Sequence, residues 1–114
     1  MKLMTKEIEN ALSKQKGGLY AQDGLGMKSK IIVKYFNPCG RGTWLITAGE
    51  KQADGDWLLF GYVELLVGEW GYVTLSELEN IVIPPFGMKI ERDITIKPNK
   101  RTIYEELKYL GRID

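Results

Sequence analysis

The chain has 114 residues, 44% hydrophobic and 27% charged, and its 16 basic and 15 acidic residues leave a formal net charge of +1. That length bounds it to one domain whose core can hold a fold without metals or disulfides, and the near-neutral balance argues against a general polyanion binder, although a local basic patch stays open. Histidine is absent, which removes the commonest general base and zinc ligand; Cys39 stands alone, so no intramolecular disulfide forms and a reducing cytoplasm is the expected home. No apolar run approaches the roughly 18 residues of a membrane helix, and the start, MKLMTKEIEN, has no apolar h-region, so neither a membrane partner nor a signal peptide is expected.

The first element is a helix over about residues 6 to 15. Thr5 can cap it, Glu7 and Glu9 suit the positive end of its dipole, and Met4, Ile8, Ala11 and Leu12 form one stripe. Gly17 and Gly18 end it. β-type patterning follows: a short strand at 19–22, then KIIVKYF at 30–36, a turn at Asn37-Pro38-Cys39-Gly40, TWLITAG at 43–49 and DWLLFGYVELL at 56–66. Asp54-Gly55 between the last two is a hairpin signal. WGYVT at 70–74 reads as a further short strand. Thr74 and Glu77 make a capping box for a helix near 75–80, and Thr102 and Glu105 make another for a helix near 102–110 with Ile103, Leu107 and Leu110 on one face. Pro84 and Pro85 interrupt the chain before MKIERDITI at 88–96, the last strand. The order predicts an α+β fold, an antiparallel sheet of about five strands with an N-terminal, a short and a C-terminal helix.

In a strand over 88–96, Met88, Ile90, Arg92, Ile94 and Ile96 share one face, and Lys89, Glu91, Asp93, Thr95 and Lys97 the other. Glu91 and Asp93 then belong to a solvated face. Arg92 is the exception. It falls in phase with apolar residues, so it either lays its stem on them with its head at the rim or aims at an anion in a cleft.

GYVTLSELENI at 71–81 and IERDITIKP at 90–98 resemble a bacterial family, number 2958 among the domains of unknown function. LYAQDG, VKYFNP, GTWLIT and DWLLFGYVE are similar to its pattern as well, so the likeness spans about Leu19 to Pro98 and stops short of the helix near 102–110. The resemblance implies a protein of plasmids, conjugative elements or phages. It implies no activity and no cofactor.

The remaining chemistries are weakly signalled. Gly24 to Ser29 is not a phosphate loop, since Met27 separates Gly26 from Lys28 and no helix follows. Glu50, Asp54 and Asp56 crowd a hairpin tip without calcium-loop spacing. Glu64, Glu69, Glu91 and Asp93 leave a carboxylate-pair enzyme formally open. Lys28, Lys30, Lys34, Arg41, Tyr35 and Trp44 are the raw material of a nucleic-acid groove, but they alternate between strand faces. The strongest signal is aromatic. Trp44, Trp57, Phe60, Tyr62, Trp70 and Tyr72 are more large rings than one face of a small sheet can bury. Exposed aromatic surface marks interaction sites, so another protein is the favoured partner, with Glu69, Trp70 and Tyr72 its contact residues.

Overall fold

A computed structural model describes residues 1–114. Three helices and five strands make an α+β fold: α1 (Lys6–Lys14), β1 (Val33–Phe36), β2 (Thr43–Lys51), β3 (Trp57–Glu64), β4 (Gly68–Thr74), α2 (Leu75–Asn80), β5 (Glu91–Arg92) and α3 (Ile103–Tyr109). The strands form one antiparallel sheet in the order β4-β3-β2-β1-β5.

Local chemistry sets the helix ends. Thr5 accepts from the Ile8 N–H at the start of α1, and complete capping boxes open α2 at Thr74 and α3 at Thr102. Asp56 reinforces α2. Its carboxylate accepts from the Ser76 N–H at 3.1 Å and the Ser76 hydroxyl at 2.5 Å, tying the β2–β3 hairpin to the helix. The Ser76 hydroxyl bond is the main reason that Asp56 titrates below its ordinary range.

The helices cover opposite faces. On the first face, Ile8 and Leu12 of α1 and Leu75 and Leu78 of α2 pack with Tyr35, Trp44, Ile46, Trp57 and Leu59. On the second, Ile103 and Leu107 of α3 pack with Ile31, Leu45 and Ile96. Between α1 and β1 the chain moves from the first face to the second, and a bulge in β2 organises that passage. Ile46 faces Gly61 and Ala48 faces Phe60, so Thr47 is the extra residue. The Thr47 carbonyl accepts from the side-chain amides of Gln15, at 2.9 Å, and Gln22, at 2.8 Å.

Two expected strands differ. Residues 19–22 carry a single 3-10 turn, Gly18–Tyr20, because Gln22 spends its amide on the backbone of Thr47 and Lys30 and the segment has no ladder partner. Within the run 88–96 only Glu91 and Arg92 join the sheet, and Met88 makes an isolated bridge to Ile83. Its alternation is not that of a strand: Ile90 joins the first core, Ile96 joins the second, and Ile94 is exposed. The chain wraps the sheet edge there, burying apolar residues on both sides in turn.

Gly61 and Gly71 face each other across β3 and β4. A Cβ at Gly61 would run into the Leu45 carbonyl and the Ile46 Cα, whereas one at Gly71 meets nothing. Gly61→Ala should therefore lower stability by about 1–3 kcal/mol through backbone displacement, and Gly71→Ala by less than about 0.5 kcal/mol. Urea unfolding of the two variants checks this.

Candidate functional site

The outer half of the second face carries the aromatic surface. The β3–β4 register sets Phe60 against Tyr72 and Tyr62 against Trp70, and residues opposite each other in an antiparallel pair share a face. The rings form a continuous ladder. Phe60 stacks on Trp70 with centroids 5.8 Å apart and planes 14° from parallel, and tilts against Tyr72 at 4.9 Å; Tyr62 meets Trp70 edge-on at 5.5 Å. α3 covers the neighbouring ground at Leu45 and Tyr62, but not Trp70 and Tyr72, which are 37% and 56% exposed.

The segment 19–29 stands beside this ladder and closes a pocket of about 330 Å³, whose lining includes Tyr20, Gln22, Asp23, Phe60, Trp70 and Tyr72. Gln22 holds that wall. Its amide nitrogen donates to the carbonyls of Lys30, at 2.7 Å, and Thr47, and its oxygen accepts from the Lys30 N–H at 2.6 Å, so one side chain replaces a rung of backbone pairing. In the sequence Asp23 is an isolated carboxylate and Tyr20 part of an expected strand, because nothing local shows that residues 19–29 fold over β3 and β4.

The expected contact residues divide. Trp70 and Tyr72 come together on the second face, in strand β4. Glu69 lies on the same strand but opposite Val63, on the first face. Trp44 is only 7% exposed, a core residue of the first face whose ring edge borders a separate depression with Val63, Val73 and Ile81. It is withdrawn from the aromatic surface because its neighbours in β2 alternate and its turn falls inward.

Glu91, Arg92 and Asp93 lie at the far edge of the sheet. Arg92 faces Tyr35 across the β5–β1 ladder, and its Nε donates to the Lys2 carbonyl at 3.1 Å; the Tyr35 hydroxyl donates to the Leu3 carbonyl at 2.8 Å. Together they strap the N-terminal segment to the sheet. Burial drives the Tyr35 phenol far above its ordinary range, so it stays protonated as that donor. Asp93 belongs to a cluster beneath α3. Lys34 Nζ lies 2.6 Å from Glu106 and 3.6 Å from Asp93, and Arg101 reaches Glu106 at 2.5 Å. Glu106 is 1% exposed and Lys34 8%. Two cations against two anions leave this cluster neutral. Burial pushes the Asp93 carboxyl up, but bonds from Thr95 and the Lys34 charge outweigh it and hold the group below its ordinary value.

These placements decide what the other candidates can do. Lys34, Tyr35 and Trp44 are buried, so they offer no stacking groove to a nucleic acid. The four carboxylates considered as a catalytic pair are dispersed: Glu64 is bound by Arg112 at 2.7 Å on the second face, Asp93 by Lys34, and Glu69 and Glu91 sit on opposite edge strands. Four strand spacings, about 19 Å, separate those edges. No group of three or more metal-ligating side chains is assembled, and no helix is long and apolar enough to cross a membrane.

The chain belongs to a family described as protein of unknown function, DUF2958, whose model matches residues 3–108. The match is wider than the sequence motifs indicated: it takes in α1 and all of α3 but its last residue. No curated protein and no solved structure matches the chain.

Removing Lys34 leaves Glu106 Oε2 without its cation and the cluster one charge negative, with Arg101 still on Oε1, so Lys34→Ala should cost about 3 kcal/mol in chemical denaturation. Asp93 has a folded-state value below its unfolded one, so its contribution is present above the ordinary value of 3.8 and is lost as pH falls through the depressed folded value. Asp93→Asn should therefore flatten the acid limb of a stability–pH profile below about pH 4. Gln22→Ala should speed exchange of the Lys30 amide by about tenfold, the worth of one lost hydrogen bond, as read by hydrogen–deuterium exchange.

Proposed function

We infer that this protein is a non-enzymatic interaction module of the cytoplasm, and that the aromatic ladder of β3 and β4 is its contact surface for another protein. One observation carries the inference: Trp70 and Tyr72 remain exposed beside a formed pocket, although the same fold buries Trp44 and Trp57 completely enough to leave them 7% and 5% exposed. A sheet face that is not covered by a helix is normally polar. Here it is built from stacked rings, and Trp and Tyr are the residues that dominate protein–protein hot spots because they present large rigid area at small entropic cost.

The ladder also suits such a task mechanically. It stands on strands paired along their whole length, so its rings are positioned before a partner arrives and little ordering entropy opposes binding. A setting on a mobile genetic element, in counter-defence or in control of transfer, is the context that the family resemblance suggests and rests on that resemblance alone.

The test is capture of the tagged protein's partners from host lysate after nuclease treatment, comparing the wild type with Trp70→Ala/Tyr72→Ala. The expected result is at least one nuclease-resistant protein retained by the wild type and reduced about tenfold or more by the double variant, the scale of a hot-spot loss. Identical protein profiles from both, or retention of nucleic acid in place of protein, would contradict the assignment.

A further inference from the structure

The pocket beside the ladder has a chemistry of its own. Its lining holds four aromatic rings, Tyr20, Phe60, Trp70 and Tyr72, and one charged side chain, Asp23, with no lysine or arginine among the lining residues. Asp23 is exposed and forms no ion pair. That sets it apart from Glu64, Asp93 and Glu106, each of which has a cation within reach. The faces of aromatic rings are electron-rich and attract cations, most strongly where water is displaced. Rings and carboxylate together define a site for positive charge, and one that repels phosphate.

We propose that the pocket floored by Phe60, Trp70 and Tyr72 and rimmed by Asp23 takes an arginine side chain of the partner protein. The proposal rests on the interaction reading above and names what that surface recognises. Shape and solvation select arginine over lysine. Phe60 and Trp70 stack on each other within 14° of parallel, which fixes their orientation, and the exposed parts of the Trp70 and Tyr72 rings offer the surface on which a planar guanidinium lies. A guanidinium is weakly hydrated and sheds its water at lower cost than an ammonium group, and its paired N–H donors match a carboxylate. The volume, about 330 Å³, lies at the small end of ligand pockets and suits one side chain. Gln22 keeps the Asp23-bearing wall in place through its bonds to Lys30 and Thr47, so the carboxylate is already at the rim before binding.

The probe is the capped tripeptide acetyl-Gly-Arg-Gly-amide, titrated into ¹⁵N-labelled protein and followed at the Trp70 indole N–H, which Trp70→Phe identifies. The isosteric but uncharged citrulline tripeptide, the lysine tripeptide and a short oligothymidylate are the comparisons. The expected result is a saturable shift of the Trp70 signal with the arginine probe, weaker by about tenfold with citrulline, the worth of a desolvated cation–π contact, and weaker with lysine. Asp23→Asn should weaken the arginine effect by about fivefold while the signals of buried Trp44 and Trp57 stay in place, which shows that the fold is intact. Equal shifts from arginine and citrulline, no shift at Trp70, or saturation by the oligothymidylate in preference to the peptide would overturn the proposal. If the peptide fails but partner capture still depends on Trp70 and Tyr72, the arginine assignment alone falls; if both fail, the interaction reading falls with it.

Discussion

The carbonyl of Thr47 is the point on which the architecture turns. One extra residue in β2 takes that group out of regular pairing, and an unpaired buried carbonyl is costly. Gln15, just after α1, and Gln22, in the segment that follows, both donate to it. The two bonds draw the chain around β2 where β1 does not reach, so α1 packs on the first face and residues 19–29 on the second. The pocket beside the aromatic ladder exists because of that passage. Without it the second face of β3 and β4 would be a flat row of rings.

The two faces of the sheet use different physics. The first is closed by apolar packing from α1 and α2, with the Tyr35 and Arg92 bonds strapping the N-terminal segment and Asp56 tying down α2. The second is closed near β1 by α3, whose apolar residues share the interface with the Lys34–Glu106 pair. A buried ion pair contributes little net stability, but it strongly penalises any docking of α3 that separates the charges. It fixes where α3 sits, and where α3 stops is where the exposed ladder begins. The uncovered area is thus a consequence of a specified helix position and not of incomplete folding.

Much of this was legible in the residues. The two capping boxes placed α2 and α3, the Asp-Gly turn placed the β2–β3 hairpin, and β-branched and aromatic runs between turn residues placed β1 to β3, because each signal is local. What failed to show was set by distant partners. Met88 to Ile96 alternates as a strand does, yet Ile90 and Ile96 serve different cores, since a segment wrapping an edge meets two faces in turn. Lys34 and Glu106 are 72 residues apart, and no pattern announces their bond. Trp44 and Trp70 each follow a glycine by two residues in a run of β-type residues; only the completed sheet buries one and leaves the other open. Arg92 shows the intermediate case. Its conflict with the apolar phase was visible, but its resolution, a bond to the Lys2 carbonyl, required the path of the N-terminal segment.

The central claim is that the exposed ladder, and not some other exposed aromatic, meets a partner. The most direct measurement places a photo-crosslinking phenylalanine at Tyr72 or, as a comparison, at Tyr109, which is more exposed but lies on α3 and is not one of the ladder rings. The account predicts a discrete protein adduct from position 72 in living cells and none from position 109. Adducts of the same protein from both positions, or from neither, would contradict it.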